Sequence, residues 1–350
     1  MKKTLFIMAA IAAMVCSCQP EDDCAPCEQQ KRATLNVSLD FEDEGQTKAT
    51  NYVTAQTYET QVNDVQILVF DSSGNLNAYV DADTKTSDIS ISTTSGTKNV
   101  WAVINGPDLS GVTTLSGMNA INIDLGSNST TASTGFVMAG YASCTVGTTT
   151  ASASISVKRL VSRVAMQKIT NALPSSYGSI TINNVALINV VGNQNLSGNA
   201  SISTWYNKMG RKDGATSTSQ IIDGSSYVAS CPTLTFKSVG SSVTNGGSLT
   251  PATPYLFYCY PNATSTDATG WTTSFTARKT RLVVTATISG QKYYYPVVID
   301  TPARNTAYTV ELTITGLGST DPDKPVQKGS INASVTVQGW ASGAVYEETI

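Results

Sequence analysis

Apolar residues recur at every second position through much of this chain, and beyond residue 32 no stretch of about twelve residues carries a helical stripe. Leu35, Val37, Leu39 and Phe41 alternate with Asn36, Ser38 and Asp40, so an extended segment here has one apolar and one polar face. Short buried-strand patterns follow. Val65–Phe70 ends in the turn Asp71-Ser72-Ser73-Gly74, and Asn99–Ile104 ends in Asn105-Gly106-Pro107. Met118–Leu125 fits a short helix or a strand. Ala151–Val157 alternates again and runs into Lys158-Arg159-Leu160-Val161-Ser162-Arg163, where basic and apolar residues mix. Ile180–Val191, Tyr255–Tyr260, Leu282–Ile288, Tyr293–Ile299 and Tyr308–Ile314 are rich in Val, Ile, Thr and Tyr, which suit a pleated surface. Ser, Thr, Gly and Asn fill the gaps. The class is all-β, and strands spaced by turn signals point to β-sandwiches with Greek-key connections. With 350 residues, 41% of them hydrophobic, there is material for two cores, with a boundary near Lys158.

Charge removes several functions. Charged residues make up 13% of the chain and the net charge is −3, so no basic field exists to neutralise phosphates and nucleic acid is not a partner. The chain contains no histidine. A Ser-His-Asp or Cys-His catalytic unit cannot be built, and His-rich zinc sites go with it. No GxGxxG, Walker loop or GxSxG is present. Asp321-Pro322-Asp323 reads as part of a linker and lacks the other ligands of a calcium loop. Asp81-Ala82-Asp83 reads as a solvated loop. Tyr293-Tyr294-Tyr295 cannot form one stacking platform, because alternate strand residues face opposite sides. No residue set nominates a reaction, a cofactor or a metal, and the expectation is a protein that is not an enzyme.

The first residues read as an export signal. Lys2 and Lys3 precede the apolar run Leu5–Val15, which is too short to span a bilayer. The following Val15-Cys16-Ser17-Cys18 resembles the lipobox of bacterial lipoproteins, with residues 1–17 removed and lipid on Cys18. Glu21, Asp22 and Asp23 resemble the surface-export signal of Bacteroidota lipoproteins. Cys24 and Cys27 lie in a polar tether without the scaffold of a redox pair. Cys144, Cys231 and Cys259 remain. A Cys231–Cys259 disulfide and three free thiols are both open in an exported chain.

Both ends of the body carry a further signal. The alternating strand from Ala33 is followed by the polar loop Glu42–Thr47 and Lys48-Ala49-Thr50. Towards the other end, Tyr308–Gly316 leads to the Asp321–Pro325 linker and then to Ile331–Trp340. With the lipobox, the Lys158–Arg163 segment and the Tyr-Tyr-Pro strand at Tyr294–Pro296, this order resembles the fimbrillins, the type V pilins of Bacteroidales. The resemblance spans nearly the whole chain. It implies two β-sandwich domains of Greek-key, transthyretin-like topology, over 49–157 and 158–328. Residues 18–48 would be a tether and first strand removed on maturation, and 329–350 a C-terminal donor segment. It implies a precursor lipoprotein held by outer-membrane lipid and a mature subunit in a surface fimbrium that supports adhesion and colonisation. A trypsin-like surface protease cuts between Lys48 and Ala49, where well-known members carry Arg. Lys31-Arg32 is a rival, but a cut there keeps the first strand in place.

Loss of that strand would take Leu35, Val37, Leu39 and Phe41 from the core, a burial worth on the order of 6–12 kcal/mol. A replacement needs the same period. Ile331, Ala333, Val335 and Val337 have it, with Trp340, Val345, Tyr346 and Ile350 beyond. Donation from one copy to the next is heterologous and open-ended, so it builds a head-to-tail homopolymer, completed in the family by minor anchor and tip pilins. A shaft subunit is the leading expectation. An anchor or tip pilin of the same system, or a surface glycan-binding lipoprotein, is the alternative. Whether all of 331–350 is donated, or only 341–350, stays open.

Overall fold

The computed structural model describes residues 31–41, 53, 55–82, 88–128, 130–131, 133–198, 202–209, 232–265, 275–326, 331–339 and 346–349. Among the described residues the regular structure is almost all strand, and no helix is long and apolar enough to cross a membrane. The chain divides into two compact units and passes between them more than once. The first comprises the opening strand, Val62–Ile121 and Met138–Val157. The second comprises Glu42–Gln61, Asn122–Val137 and Lys158–Ile350. The segment Met118–Leu125 resolves into both of its expected forms, the helix Leu115–Ala120 and the short strand β6 (Asn122–Asp124).

In the first unit the strands are β1 (Arg32–Phe41), β2 (Val65–Asp71), β3 (Leu76–Ala82), β4 (Asp88–Thr94), β5 (Gly96–Ile104), β7 (Met138–Val146) and β8 (Thr150–Arg159). They form one sheet in the order β3-β2-β5-β7-β8-β1-β4. Alternate side chains from six of them meet in a single core that includes Leu35, Val37, Ile67, Ile91, Val100, Ala102, Ile155 and Val157. The sheet therefore curls until its two terminal strands meet. The Asn77 carboxamide oxygen on β3 accepts bonds from the Thr93 hydroxyl and from the Thr94 amide and hydroxyl on β4, the last two both at 3.1 Å. Gly140 lets β7 lie close to β8, since a Cβ there would stand 2.1 Å from the Ser156 carbonyl oxygen.

The second unit holds β9 (Ser162–Asn171), β10 (Ile180–Ile188), β11 (Val190–Val191), β12 (Asn193–Asn195), β13 (Trp205–Tyr206) and β14 (Phe236–Val243). The remaining strands are β15 (Ser248–Leu249), β16 (Tyr255–Cys259), β17 (Arg281–Ile288), β18 (Gln291–Val298), β19 (Thr306–Ile314), β20 (Ile331–Gly339) and β21 (Tyr346–Thr349). One sheet runs β14-β10-β17-β18. Another runs β15-β9-β19-β20-β21, with β16 also on β9. Their central strands are buried on both faces, as Leu282, Val283 and Val284 illustrate. This is why those segments read as continuous apolar runs rather than alternations.

Candidate strand-exchange site

β1 is an inner strand with both edges in use. It runs parallel to β8, where Leu35, Val37, Leu39 and Phe41 stand beside Ala151, Ala153, Ile155 and Val157. It runs antiparallel to β4, where Leu35 and Val37 stand beside Ile91 and Ile89. Leu35 and Val37 are 0% exposed and Leu39 is buried, while Phe41 is half-buried against the same core. The opposite face is polar, and the Ser90 hydroxyl donates to the Asn36 carboxamide oxygen at 2.7 Å. Lys31 and Ser95 fix the strand's start through a backbone bond of 2.8 Å. Among the described residues, β4 has β1 as its only neighbour in the sheet order. Withdrawing β1 thus removes an apolar stripe and opens two ladders at once. Lys48 and Ala49 lie outside the described residues, as does Cys18.

The C-terminal segment occupies its own unit. β20 pairs antiparallel with β19 from Ile314↔Ile331 to Thr306↔Gly339. On its other edge β21 folds back from Val337↔Tyr346 to Ser334↔Thr349. Val335 is buried, whereas Ile331, Ala333 and Val337 are only half-buried. The apolar face of β20 is thus less covered than that of β1. Trp340, Val345 and Ile350 lie outside the described residues. Cys259 is buried with a free thiol, placed 3.4 Å from the Ser162 hydroxyl, and burial pushes the thiol up to about 11. Cys231, its candidate disulfide partner, lies outside the described residues.

Two buried ionic clusters escaped the sequence reading. In the first, Glu59 on the helix Thr57–Thr60 is fully buried. Its carboxylate takes the Arg163 guanidinium at 2.9 Å and the Tyr258 hydroxyl at 2.6 Å. Burial, with that carboxylate beside it, pushes the Tyr258 phenol far above its ordinary range. Arg163 also donates to the Val53 carbonyl at 2.7 Å, and Arg159 donates to the Glu59 carbonyl. Residues 53–61 are thereby tied into the second unit.

In the second cluster, Asp323 is fully buried and accepts from Arg278 at 2.5 Å, Arg281 at 2.8 Å and the Asn189 carboxamide at 2.9 Å. Desolvation raises the Asp323 carboxyl, opposed by the two guanidiniums and the amide bond. The Asp321–Pro325 stretch, expected as a linker, is a docked segment up to Asp323, and only Lys324 and Pro325 are exposed. No local pattern signals either cluster, because each carboxylate finds its arginines far away in sequence.

The profile of the major fimbrial subunit protein (FimA) family matches residues 33–195. Among solved structures, a fimbrilin from Porphyromonas gingivalis aligns with a TM-score of 0.61 at 14% identity, covering 89% of this chain and 98% of that one. A candidate cell adhesion protein from Bacteroides eggerthii aligns at 0.59 with 18% identity, covering 91% and 98%. The tip fimbrial protein of Porphyromonas gingivalis, with a C-terminal truncation, aligns at 0.50 with 14% identity, covering 88% and 99%. Among curated proteins none matches the chain. At these identities the structural likeness is one of fold. The family match spans just under half of the chain, and with it the class the fold defines is an all-β protein similar to fimbrial subunits. Over residues 33–195 the chain resembles the major fimbrial subunits.

Proposed function

We propose that this chain is a fimbrillin, a shaft subunit that polymerises by protease-triggered donor-strand exchange and supports adhesion of the cell that carries it. The carrying observation is the position of β1, an inner strand between β8 and β4 whose apolar face lies in the core. A cut between Lys48 and Ala49 leaves β1 attached by contacts alone. Its departure uncovers a slot lined by Ile89, Ile91, Ala153 and Ile155. Leu35, Val37 and Leu39 account for roughly 4–9 kcal/mol of burial. The incoming strand must replace this and both backbone ladders.

β20 with β21, from the next copy, is the donor in this reading. It has the required period, and the half-buried Ile331, Ala333 and Val337 gain burial on entering the slot. The precursor is a lipoprotein held through Cys18 until the cut releases it. The subunit's partners are further copies of itself, with other fimbrial subunits at the two ends of the shaft.

The test is N-terminal sequencing of the protein in surface fibres beside trypsin treatment of the purified precursor. A start at Ala49, and polymers that appear only after the cut, are expected. A native start at lipidated Cys18, with no polymer under any digestion, overturns the reading.

A further inference from the structure

The residues between β19 and β20 are fastened to the second unit at three successive points. The Tyr295 hydroxyl donates to the Gly316 carbonyl at 3.0 Å. Tyr294 and Ser319 exchange two backbone bonds, at 2.8 and 2.9 Å. Gly318 makes this contact possible, because a Cβ there would stand 2.6 Å from the Tyr294 carbonyl oxygen and 2.9 Å from the Tyr295 ring. Asp323 then enters the clamp formed by Arg278, Arg281 and Asn189, which come from two separate stretches of chain. These partners are themselves braced. Asn189 accepts from the Met209 amide at 2.8 Å, and its carbonyl accepts from the Thr280 hydroxyl at 3.0 Å. Arg278 donates to the Thr276 carbonyl and Arg281 to the Lys279 carbonyl. Immediately past Asp323 the chain is exposed, at Lys324 and Pro325.

A linker that only joined two strands would need none of this. Withdrawing Asp323 would leave two buried guanidiniums without their carboxylate, which makes it the hardest residue of the stretch to pull out. We infer that the Asp323 clamp, with the Tyr294–Ser319 bridge, is the anchor that fixes where the donor segment leaves its own subunit and that carries the tension between subunits in the fibre. This inference rests on the strand-exchange reading, with β20 and β21 both donated. Under it, only the few residues from Lys324 to Val326 and the segment joining them to β20 bridge one copy to the next. Neighbouring subunits are held close, and the fibre is stiff. Asp323 is a positioning residue: it touches no part of the neighbouring copy and acts through the segment it holds.

The experiment stretches single fibres made from the trypsin-cut full chain, comparing wild type with Asp323→Asn and Gly318→Ala. Release of Gly316 to Val326 adds up to about 4 nm of chain per subunit, at roughly 3.5 Å per residue. Asp323→Asn should lengthen by that step at a force where wild-type fibres do not, whereas Gly318→Ala, which keeps the clamp, should hold to a force close to that of wild type. In the uncut variants, amides of 316–323 should exchange at least tenfold faster, with those of 62–121 unchanged. Variant subunits, once cut, should still capture wild-type precursor at the wild-type rate, which a general folding defect would not permit.

Should Asp323→Asn fail to fold, Arg278→Lys keeps a cation beside Asp323, weakens the clamp by less, and should give the same step at a force between those of Asp323→Asn and wild type. Fibres that stretch identically with and without the substitutions overturn this inference alone. If the cut wild-type protein forms no fibres, the strand-exchange reading falls and this inference falls with it.

Discussion

Truncating Leu35 to alanine separates the two lives of β1. Leu35 is fully buried, and its neighbours on the adjoining strands are Ile91 on β4 and Ala151 on β8. The next pair on β8, Val37 beside Ala153, is equally small on that side. Alanines cannot collapse into the space a leucine leaves, so the cavity persists. Leu→Ala in such a site costs about 2–5 kcal/mol, and this packing places the cost at about 3 kcal/mol or more. Urea unfolding of the uncut precursor should register that loss as a lower midpoint with an unchanged slope. After the cut the same deficit speeds departure of β1, by about 100-fold for 3 kcal/mol. Under the strand-exchange reading the finished fibre does not contain residue 35, so its resistance to denaturant should equal that of wild type. A Leu35→Ala fibre weakened as much as its precursor would refute the reasoning, because β1 would then still be in place. A precursor loss below about 1 kcal/mol would refute the assignment of Leu35 to a rigid core.

Three other outcomes follow from named contacts. Asn77→Ala removes the acceptor that ties Thr93 and Thr94 of β4 to β3. It should cost about 1–3 kcal/mol and, in the cut monomer, raise hydrogen exchange along β4, which has then lost its ladder with β1. Glu59→Gln leaves the Arg163 guanidinium buried without its carboxylate and should destabilise the second unit by about 3–5 kcal/mol in urea, with iodide quenching of tryptophan fluorescence as a second readout. The Cys259 thiol has its folded value raised from 9.0 to about 11 by burial, so its contribution is complete below pH 9 and is lost as pH rises towards 11. The loss amounts to roughly 2–3 kcal/mol. Alkaline unfolding of Cys259→Ser should lack that component, and iodoacetamide should reach Cys259 only in the unfolded chain.

The alternation that buries Leu35, Val37 and Leu39 is legible in the sequence, because period two assigns side chains to faces without reference to any other strand. The partners of β1 are not legible. Its parallel neighbour β8 lies more than a hundred residues on, with Ser38 bonding the Ala153 carbonyl, and a local pattern carries no register over that distance. The same limit explains the misread linker. Asp321-Pro322-Asp323 has the composition of a solvated turn, but the arginines that bury Asp323 sit 45 and 42 residues earlier. Arg163 likewise reads as one charge in a basic strand until Glu59, 104 residues before it, closes the pair.

The two buried clusters also divide the chain by chemistry. The Glu59 cluster holds the stretch that follows the loop proposed to be cut, and Asp323 holds the stretch that precedes the proposed donor segment. The strands proposed to exchange are, by contrast, apolar and period-two, and any strand of that pattern satisfies the slot's core face. Ionic clusters tolerate one arrangement, since a displaced member leaves an uncompensated charge. Apolar stripes tolerate many. If strand exchange operates as proposed, the subunit needs the second kind of contact where the exchange occurs and the first kind at its borders. β1 and β20 meet the first demand, and Glu59 and Asp323 meet the second.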